Sequence, residues 1–367
     1  MTSSSQRLRV LTVVGARPQF VKCAVVSRVL RQRHDEILVH TGQHYDDAMS
    51  ARFFRQLEIP APDKNLEIHG GNHGDMTGRM LIALEAAMLE VKPDVVLVYG
   101  DTNSTLAGGL AASKLGITVA HVEAGLRSFN RRMPEELNRV VTDHLSDLLF
   151  APTAHAVELL KAEGVTKGVH NVGDVMLDSV LLAQKKARDL VPLDGLRTSL
   201  GLRAAEPYAV STLHRAENTD DTTRLSRLLR GLASLPIAVV LPLHPRTRKI
   251  IDGDPTLAAL MAPTIRAVEP LGYLEMLRLV DGADLVLTDS GGLQKEAFFL
   301  GVRCVTLRDE TEWVETVRAG ANALSGADTA KITELAAAAL AKGRLPAGAA
   351  TEFGDGAAGE RIVELLS

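Results

Sequence analysis

The sequence has few aromatic residues, only two cysteines and no long apolar run. Aromatic residues make up 4% of the 367 positions, and alanine and leucine fill most of the apolar positions. No apolar stretch reaches the roughly 18–20 residues of a membrane span before a charge interrupts it. The two cysteines, Cys23 and Cys304, lie far apart in apolar surroundings, which predicts buried free thiols in a reducing compartment.

The sequence also has no strong excess of basic or of acidic residues. Lysine and arginine number 41 against 45 aspartates and glutamates, which gives a formal net charge of −4. This balance argues against a nucleic-acid-binding protein, which normally has a strong basic excess. Residues 1–9 are polar, serine-rich and short, so they do not resemble a secretory signal. We therefore expect a cytoplasmic protein with neither nucleic-acid nor membrane partners.

Short apolar runs alternate with amphipathic segments along the whole chain. This alternation is typical of βα units around a parallel sheet, and the length favours two domains. Helical periodicity is clearest at residues 75–90 and 103–115. The predicted strands are residues 8–15, 36–42, 94–100, 118–124 and 147–152, then 208–213, 237–243, 265–268, 283–289 and 302–307.

Residues 175–205 separate the two sets of strands. They form a polar helical segment followed by a predicted loop that contains Pro192 and Gly195. We therefore predict an α/β fold with two doubly wound, Rossmann-like domains, residues 1–175 and 176–351. In such open sheets ligands bind beyond the carboxyl ends of the strands, so an interdomain cleft is the expected binding site.

The first predicted strand leads into a motif that suits phosphate binding. Gly15 permits a tight turn, Pro18 suits a first helical position, and Arg17 and Lys22 add positive charge to the helix N-terminus. The alternative is a helix start with two solvated cations. The motif is not a GxGxxG fingerprint, so no nicotinamide cofactor is implied.

A second motif, Asp289-Ser290-Gly291-Gly292, follows a strand of the second half and precedes a helix. The N–H groups of Gly291 and Gly292 and the Ser290 hydroxyl can hold a diphosphate at that helix end. Glu296 lies further along the helix, where its carboxylate can accept hydrogen bonds from two ribose hydroxyls. The alternative is an ordinary capped helix.

Acidic residues and a histidine near predicted strand ends are candidates for proton transfer. Asp101 follows a strand, although it can equally cap the next helix. Glu123 ends an apolar strand, where a carboxylate is costly without a partner. Glu135 and Glu136 follow a proline, and one of them can simply serve the helix dipole. His214 ends the first strand of the second domain, and a structural role is its alternative.

Histidine pairs raise the question of a metal site. His69 and His73 are four residues apart, as are His40 and His44. Both pairs lie in or beside glycine-rich loops, and no HExxH or clustered Cys/His spacing occurs. We expect no metal.

With these residues assembled, the chain resembles the non-hydrolysing UDP-N-acetylglucosamine 2-epimerases almost from end to end. The matching blocks begin at Gly15-Ala16-Arg17-Pro18 and end at Gly354-Asp355-Gly356; between them lie Thr41-Gly42-Gln43-His44, Gly100-Asp101-Thr102, His121-Val122-Glu123-Ala124-Gly125-Leu126-Arg127, Pro134-Glu135-Glu136, Asn171-Val172-Gly173-Asp174, His214-Arg215, Glu217-Asn218 and Thr288-Asp289-Ser290-Gly291-Gly292. The resemblance implies a fold of the glycosyltransferase-B type, usually dimeric, in which the last helix, residues 352–367, returns to the first domain.

The resemblance also implies a reaction without a cofactor. The proton at C2 is removed and UDP leaves C1 in an anti elimination, giving 2-acetamidoglucal; UDP then adds back as a proton reaches the opposite face of C2. Cations and helix dipoles must stabilise the departing diphosphate, and acid–base groups must act on both faces of the sugar. By the family pattern, the acid–base groups are Asp101, Glu123, Glu135 and His214, and the UDP-binding residues include Arg17, Lys22, Ser290, Gly291, Gly292 and Glu296. Which residue abstracts the proton stays open.

Departures from the family pattern fall around the expected ligand. They are Ala16 and Gln19 in place of threonine and glutamate, Ala216 after Arg215 in place of paired arginines, Trp313 in place of arginine, Met276 where an aromatic is often placed near the uracil, Asp46 in place of a glutamine that contacts an allosteric UDP-sugar, and a shortened loop at 128–133. Allosteric activation by substrate is therefore in question.

These departures resemble the branch that includes UDP-2,3-diacetamido-2,3-dideoxyglucuronate 2-epimerases. Arg131, Arg132 or Arg215 can pair with the C6 carboxylate of such a substrate, and Trp313 can pack on an acetamido methyl. UDP-N-acetylglucosamine is the first candidate substrate and the uronate is the alternative. A UDP-sugar glycosyltransferase shares the fold and the UDP site and is a more remote alternative, because it needs no carboxylate cluster on both faces of C2. A hydrolysing relative is distinguished only by its products. A non-catalytic binding protein is the least favoured class, because the acid–base candidates are all present.

Overall fold

The computed structural model describes residues 7–43, 58–261 and 263–366, apart from the side chain of Arg17. The chain divides into two compact units. The first unit comprises Met1–Ser179 and Thr351–Ser367, and the second comprises Val180–Ala350. The unit boundary at Ser179 falls within a helix, Val175–Leu190.

The described part of the first unit is built on a seven-stranded parallel sheet in the order β3-β2-β1-β4-β5-β6-β7. Its strands are Arg9–Val14 (β1), Asp35–His40 (β2), Lys64–Asn65 (β3), Val95–Tyr99 (β4), Thr118–Val122 (β5), Leu148–Ala151 (β6) and Val169–Asn171 (β7). The central strands are nearly continuous in valine and leucine because helices cover both of their faces. All five residues of β4 are buried.

The described part of the second unit has a six-stranded parallel sheet in the order β10-β9-β8-β11-β12-β13. Its strands are Tyr208–Thr212 (β8), Ala238–Pro242 (β9), Ile265–Val268 (β10), Leu285–Thr288 (β11), Cys304–Thr306 (β12) and Asn322–Leu324 (β13). Each sheet reverses its strand order beside its first strand, which is the topological switch point of a doubly wound fold. The predicted α/β class with two Rossmann-like sheets is confirmed.

Helices connect the strands in both units. They are Arg17–Arg33 (α1), His73–Val91 (α2), Asn103–Lys114 (α3), Pro134–Leu145 (α4), Ala154–Ala162 (α5), Val175–Leu190 (α6), Leu193–Ser199 (α7), Ala216–Thr219 (α8), Thr222–Ala233 (α9), Pro245–Asp252 (α10), Pro255–Ala258 (α11), Tyr273–Asp281 (α12), Gly291–Phe299 (α13), Val314–Arg318 (α14), Thr329–Lys342 (α15) and Ala358–Leu365 (α16). The first-unit core packs the apolar side of α2 and α3 on β1, β2, β4 and β5. The second-unit core packs α9 and α15 on its sheet.

The structure differs from the sequence prediction in short elements. Strands β3, β7 and β13 were not predicted, because two or three residues give too little apolar alternation to recognise. The predicted loop with Pro192 and Gly195 is instead helix α7, and Pro192 stands at its N-cap position. Both cysteines are buried free thiols, as predicted. Burial raises the pKa of the Cys304 thiol to about 12, which makes it unreactive.

A buried carboxylate, Asp178, binds the N-terminus of the last helix within the first unit. Asp178 on α6 accepts the N–H of Ala358 at 2.9 and 3.0 Å from its two oxygens, at the N-terminus of α16. Burial raises the pKa of the Asp178 carboxyl to about 7, although the N–H groups of Ala358 and Gly359 act to lower it. Asp174 and Asp355 add to the rise, because like charges disfavour a second anion nearby.

The folded state therefore gains a proton on Asp178 as the pH falls below 7, whereas the unfolded chain gains it near pH 3.8. The stability that this group contributes is fully present below about pH 4 and is lost as the pH rises through about 7. Asp178→Asn carries no charge to bury. We expect this variant to raise the midpoint of thermal unfolding more at pH 8 than at pH 5, and the difference between the two increases should be about 2–4 °C. An equal change in the unfolding midpoint at both pH values would contradict this account.

Candidate active site

Three neighbouring strands of the first unit end in the residues that the sequence singled out. In the sheet, β1, β4 and β5 lie side by side, and they are followed by Gly15, Asp101 and Glu123. Because carboxyl ends of parallel strands share one edge of a sheet, these residues gather there. This edge is the candidate site of the first unit.

Glu123 is held in an unusual backbone conformation beside a cation. Its φ is 71°, in the left-handed region that costs a non-glycine residue energy and clusters at functional sites. Its Oε2 accepts a hydrogen bond from Lys22 Nζ, and both side chains are 10% exposed or less. A Cβ on Gly100 would lie 3.4 Å from Glu123 Oε2 and 3.5 Å from Lys22 Nζ, so the ion pair packs directly on the turn that precedes Asp101.

Asp101 is also paired with a cation but remains accessible. Its Oδ2 forms an ion pair with Arg139 of α4, and its side chain is 31% exposed. Asn138 Nδ2 donates to the Asp101 carbonyl at 2.9 Å and fixes the backbone of the turn. Thr102, and not Asp101, caps α3 through its side chain, which removes the alternative that Asp101 is only a helix cap.

The two acids at the start of α4 have different surroundings. Glu136 is buried, and its carboxylate accepts the N–H groups of Ser128 and Phe129, both at 2.9 Å, and the charged Arg139 at 3.1 Å. It therefore organises the shortened loop before α4. Glu135 is half-buried and has no hydrogen-bond or ion-pair partner among the described residues.

The turn after β1 is built by Gln19. Its Oε1 accepts the N–H groups of Gly15 and Ala16 at 2.8 and 3.0 Å, and its Nε2 donates to the Tyr99 carbonyl at 2.9 Å. Gln19 thus ties the ends of β1 and β4 together. Arg17 begins α1, but its side chain lies outside the described part of the structure, as do His44 and Asp46.

In the second unit, His214 is oriented by a buried carboxylate. Its Nδ1 lies 3.2 Å from Asp289 Oδ1, and its side chain is 48% exposed. Asp289 also accepts the N–H groups of His214 and Arg215 and, at 3.1 Å, the side chain of Asn218. Burial acts to raise the pKa of the Asp289 carboxyl, but the hydrogen bond and charge of His214 outweigh it and hold that pKa below its usual value.

The glycine turn at the start of α13 is supported from beneath. Ser290 caps the helix through Leu293 N, and the first N–H groups of a helix have no partner within it. A Cβ on Gly291 would lie 2.4 Å from Glu312 Oε1 and 3.5 Å from Trp313 Nε1, so a side chain there would require the Glu312 carboxylate to move. Gly292 is exposed.

Trp313 is 4% exposed, and one face of its ring is covered by Lys295 Nζ, 3.8 Å from the ring centroid. It therefore supports the glycine turn, and that ring face is closed to an acetamido group. Lys295 is itself a buried cation on α13. This ammonium adds positive charge beneath the turn at which a diphosphate would be held.

Glu296 on α13 interacts with Tyr273 of α12, a residue with no signal in the sequence. Burial raises the pKa of Glu296 to about 7, while Tyr273 and the charge of Lys295 act to lower it. Met276, half-buried, lies three residues after Tyr273 on α12 and so shares its helix face.

The histidine pairs do not form a metal site in the described residues. Within residues 7–43, 58–261 and 263–366, no three His, Cys, Asp or Glu side chains are placed to hold an ion. His40 instead accepts the N–H of Gly42 at 3.0 Å and stacks on Phe20. No described helix is both long enough and apolar enough to span a bilayer.

Comparison with known proteins gives one consistent result. The sequence profile of the UDP-N-acetylglucosamine 2-epimerase family matches residues 28–367. The UDP-2,3-diacetamido-2,3-dideoxy-D-glucuronate 2-epimerase of Pseudomonas aeruginosa is 51% identical, over 98% of this chain and 99% of that protein. The crystal structure of Methanocaldococcus jannaschii UDP-GlcNAc 2-epimerase in complex with UDP-GlcNAc and UDP is 43% identical, with a TM-score of 0.87 over 98% of this chain and 99% of that chain.

The chain belongs to the UDP-N-acetylglucosamine 2-epimerase family. It is a UDP-sugar 2-epimerase, an isomerase, with the glycosyltransferase-B type of fold. The Neisseria meningitidis UDP-GlcNAc 2-epimerase, solved bound to UDP-GlcNAc, is 30% identical, with a TM-score of 0.87 over 98% of this chain and 99% of that chain.

Sequence reasoning missed the groups that hold the epimerase's candidate residues in place. Asp289 was placed in the diphosphate motif, yet its side chain orients His214. Lys22 was assigned to the diphosphate, yet its ammonium contacts Glu123. Arg139 and Tyr273 carried no signal in the sequence.

We expect Asp289→Asn to lower kcat of the epimerase by about 10–10²-fold, because the amide cannot hold the His214 ring in its present orientation. Adding Asp289→Asn to His214→Ala should cost little more, since the two side chains act as a unit. UDP affinity, measured by titration calorimetry, serves as the control and should stay near that of the unaltered enzyme. Fully additive losses in the double variant would argue that Asp289 acts independently of His214.

Proposed function

We propose that this epimerase interconverts UDP-N-acetylglucosamine and UDP-N-acetylmannosamine by anti elimination of UDP and its re-addition to 2-acetamidoglucal. The observation that carries the proposal is the pair of carboxylates at neighbouring strand ends. Glu123 forms an ion pair with Lys22, and Asp101 forms one with Arg139, so each carboxylate is held in a fixed direction at its strand end. Removing a weakly acidic C2 proton requires such bases together with an early departure of UDP.

The acid–base work is assigned to Asp101, Glu123, Glu135 and His214. Asp101 combines an adjacent cation with 31% exposure, which leaves it open to substrate. Glu135 is half-buried at the start of α4 and suits the delivery of a proton to the other face of the sugar. The Asp289 carboxylate orients the His214 ring, which suits His214 to assist the departing or returning UDP.

UDP is assigned to the second unit. The N–H groups of Gly291 and Gly292 and the Ser290 hydroxyl suit the diphosphate, because the N-terminus of α13 and the buried Lys295 both favour negative charge. Glu296, which interacts with Tyr273, suits the ribose hydroxyls. Met276, Arg215 and Arg17 are assigned to the uracil and diphosphate by the family pattern, with Trp313 acting through the glycine turn. No cofactor or metal enters this mechanism.

UDP-2,3-diacetamido-2,3-dideoxyglucuronate is a second candidate substrate. It is favoured by the 51% identity to the Pseudomonas aeruginosa enzyme named for it. Arg131 and Arg132 are exposed in the shortened loop and can pair with a C6 carboxylate. Lys22 and Arg139, by contrast, are already paired with carboxylates of the protein.

Proton NMR in D₂O with each UDP-sugar in parallel tests both candidates. Epimerisation of UDP-N-acetylglucosamine with deuterium at C2 is the expected result. Turnover of the diacetamido-glucuronate sugar alone would transfer the assignment to that substrate.

We expect Arg131→Gln combined with Arg132→Gln to leave turnover of the uncharged sugar within about two-fold. A selective loss of turnover with the uronate would identify these arginines as the contacts of its carboxylate.

Alanine at any of the four acid–base residues should lower kcat by about 10²-fold or more and leave UDP binding in place. Unchanged turnover in all four variants would overturn the mechanism. Release of free N-acetylmannosamine would instead indicate a hydrolysing enzyme, and deuterium exchange with neither sugar would favour a glycosyltransferase. The products are separated by the same NMR spectra.

We also propose that the enzyme is a homodimer that uses the outer face of α2. Ile82 and Leu89 are seven residues apart, so they lie on one side of this helix, and they are 73% and 58% exposed. Large apolar side chains exposed together on a helix are typical of an interface between subunits. The occupant that fits a self-complementary apolar face is a second copy of the chain.

Replacing Ile82 and Leu89 together by glutamate should convert the dimer to a folded monomer, because two charges would be buried in the contact. Light scattering after size-exclusion chromatography gives the mass. Leu190→Glu is the matched control, since Leu190 is 68% exposed on a different helix. A dimer that survives both glutamates would place the interface elsewhere.

A further inference from the structure

The segment from His121 to Arg127 contributes only Glu123 to the proposed chemistry. Three of its other residues contact the buried side chain of Asp143 on α4. His121 is fully buried between two oxygen atoms. Its Nε2 lies 2.7 Å from the Gly100 carbonyl, and its Nδ1 lies 2.7 Å from Asp143 Oδ1. A carbonyl oxygen can only accept, so Nε2 carries a proton, and the carboxylate accepts from the other nitrogen. His121 therefore links Asp143 to the turn before Asp101.

The second oxygen of Asp143 fastens the other side of the same segment. Asp143 Oδ2 accepts the N–H of Gly125 at 3.1 Å and Nη1 of Arg127 at 2.6 Å. Glu123 lies midway between His121 and Gly125, in the left-handed backbone conformation. One carboxylate on α4 thus anchors the chain on both sides of a strained residue whose conformation would otherwise relax.

Asp143 also reaches Asp101, by a different path. The Gly100 carbonyl that His121 binds belongs to the residue directly before Asp101, and Gly100 itself has a φ of 62°. Rotation of that peptide would redirect Asp101. The hydrogen bond from His121 fixes its orientation, so both proposed bases depend on one side chain that is removed from the sugar.

The charge balance around Asp143 fits this role. Burial acts to raise the pKa of Asp143, but the hydrogen bonds and charges of His121 and Arg127 outweigh it, and the pKa is lowered. Arg127 is held in turn by Glu163, at 2.6 and 2.8 Å. Burying several charges is a poor way to gain stability compared with apolar packing, whereas their fixed directions suit the placement of reactive groups.

We propose that Asp143 is a positioning residue that sets the geometry of Asp101 and Glu123 together. This inference rests on the acid–base roles assigned above to those two carboxylates. Asp143 acts through His121 and through the backbone at Gly125 and does not itself bind the sugar.

Asp143→Asn tests the proposal, because asparagine keeps the shape but turns one of the two acceptor oxygens into a donor. We expect kcat to fall by about 10–10²-fold, as misplacement by about 1 Å does. KM and the dissociation constant for UDP should change less than about three-fold, since UDP is assigned to the second unit. Deuterium exchange at C2 should fall in parallel with kcat.

Glu163→Gln is the matched control. It removes the other carboxylate of Arg127, at a side chain that is 28% exposed, and leaves His121 and Gly125 attached to Asp143. It should lower the unfolding midpoint but leave kcat within about two-fold. If Glu163→Gln lowers kcat as much as Asp143→Asn does, the network is merely structural and the proposal is wrong.

His121→Asn provides a second route should Asp143→Asn fail to fold. It removes the link to Gly100 and keeps the contacts of Asp143 with Gly125 and Arg127, so a loss of kcat without a change in KM is expected. A folded Asp143→Asn or His121→Asn enzyme with unchanged kcat overturns the inference. If Asp101→Asn and Glu123→Gln also turn over normally, the proposed acid–base roles fail with it; if those two variants are inactive, only the positioning role of Asp143 fails.

Discussion

The site depends on pairing the carboxylates at its strand ends with a cation or a strong hydrogen-bond donor. An unpaired charge at the end of an apolar strand would be prohibitively costly. Glu123 has Lys22, Asp101 has Arg139, and Asp289 has His214. Each partner also orients the carboxylate. The contact that stabilises the buried charge therefore also positions the side chain for the reaction.

The doubly wound sheets create the places where these pairs form. Parallel strands covered on both faces must be apolar along their length, so polar chemistry is confined to the turns after them. In the first unit those turns bring Gly15, Asp101 and Glu123 to one edge, and Gln19 ties two of the turns together. In the second unit the same rule brings His214 and Asp289 together, because β8 and β11 are neighbours.

Residues that contact the candidate residues or their turns account for several departures from the family pattern. Trp313 and Lys295 form a buried pair beneath the glycine turn. Gln19 satisfies two N–H groups of the first turn. Glu136 organises the shortened loop, and Glu135 is the acid of this pair to which the proposal assigns a role at the substrate.

The sequence by itself determined the fold class, most of the longer elements and the stretches that carry the chemistry. Apolar runs predict buried strands, and glycine and polar residues after them predict a ligand site, since both follow from local periodicity. Only the tertiary structure decided which of Glu135 and Glu136 is structural, that Lys22 contacts Glu123, and that Asp143 anchors the segment around Glu123. These contacts join residues far apart in the chain, and the pairing of charges depends on distances that no local pattern encodes.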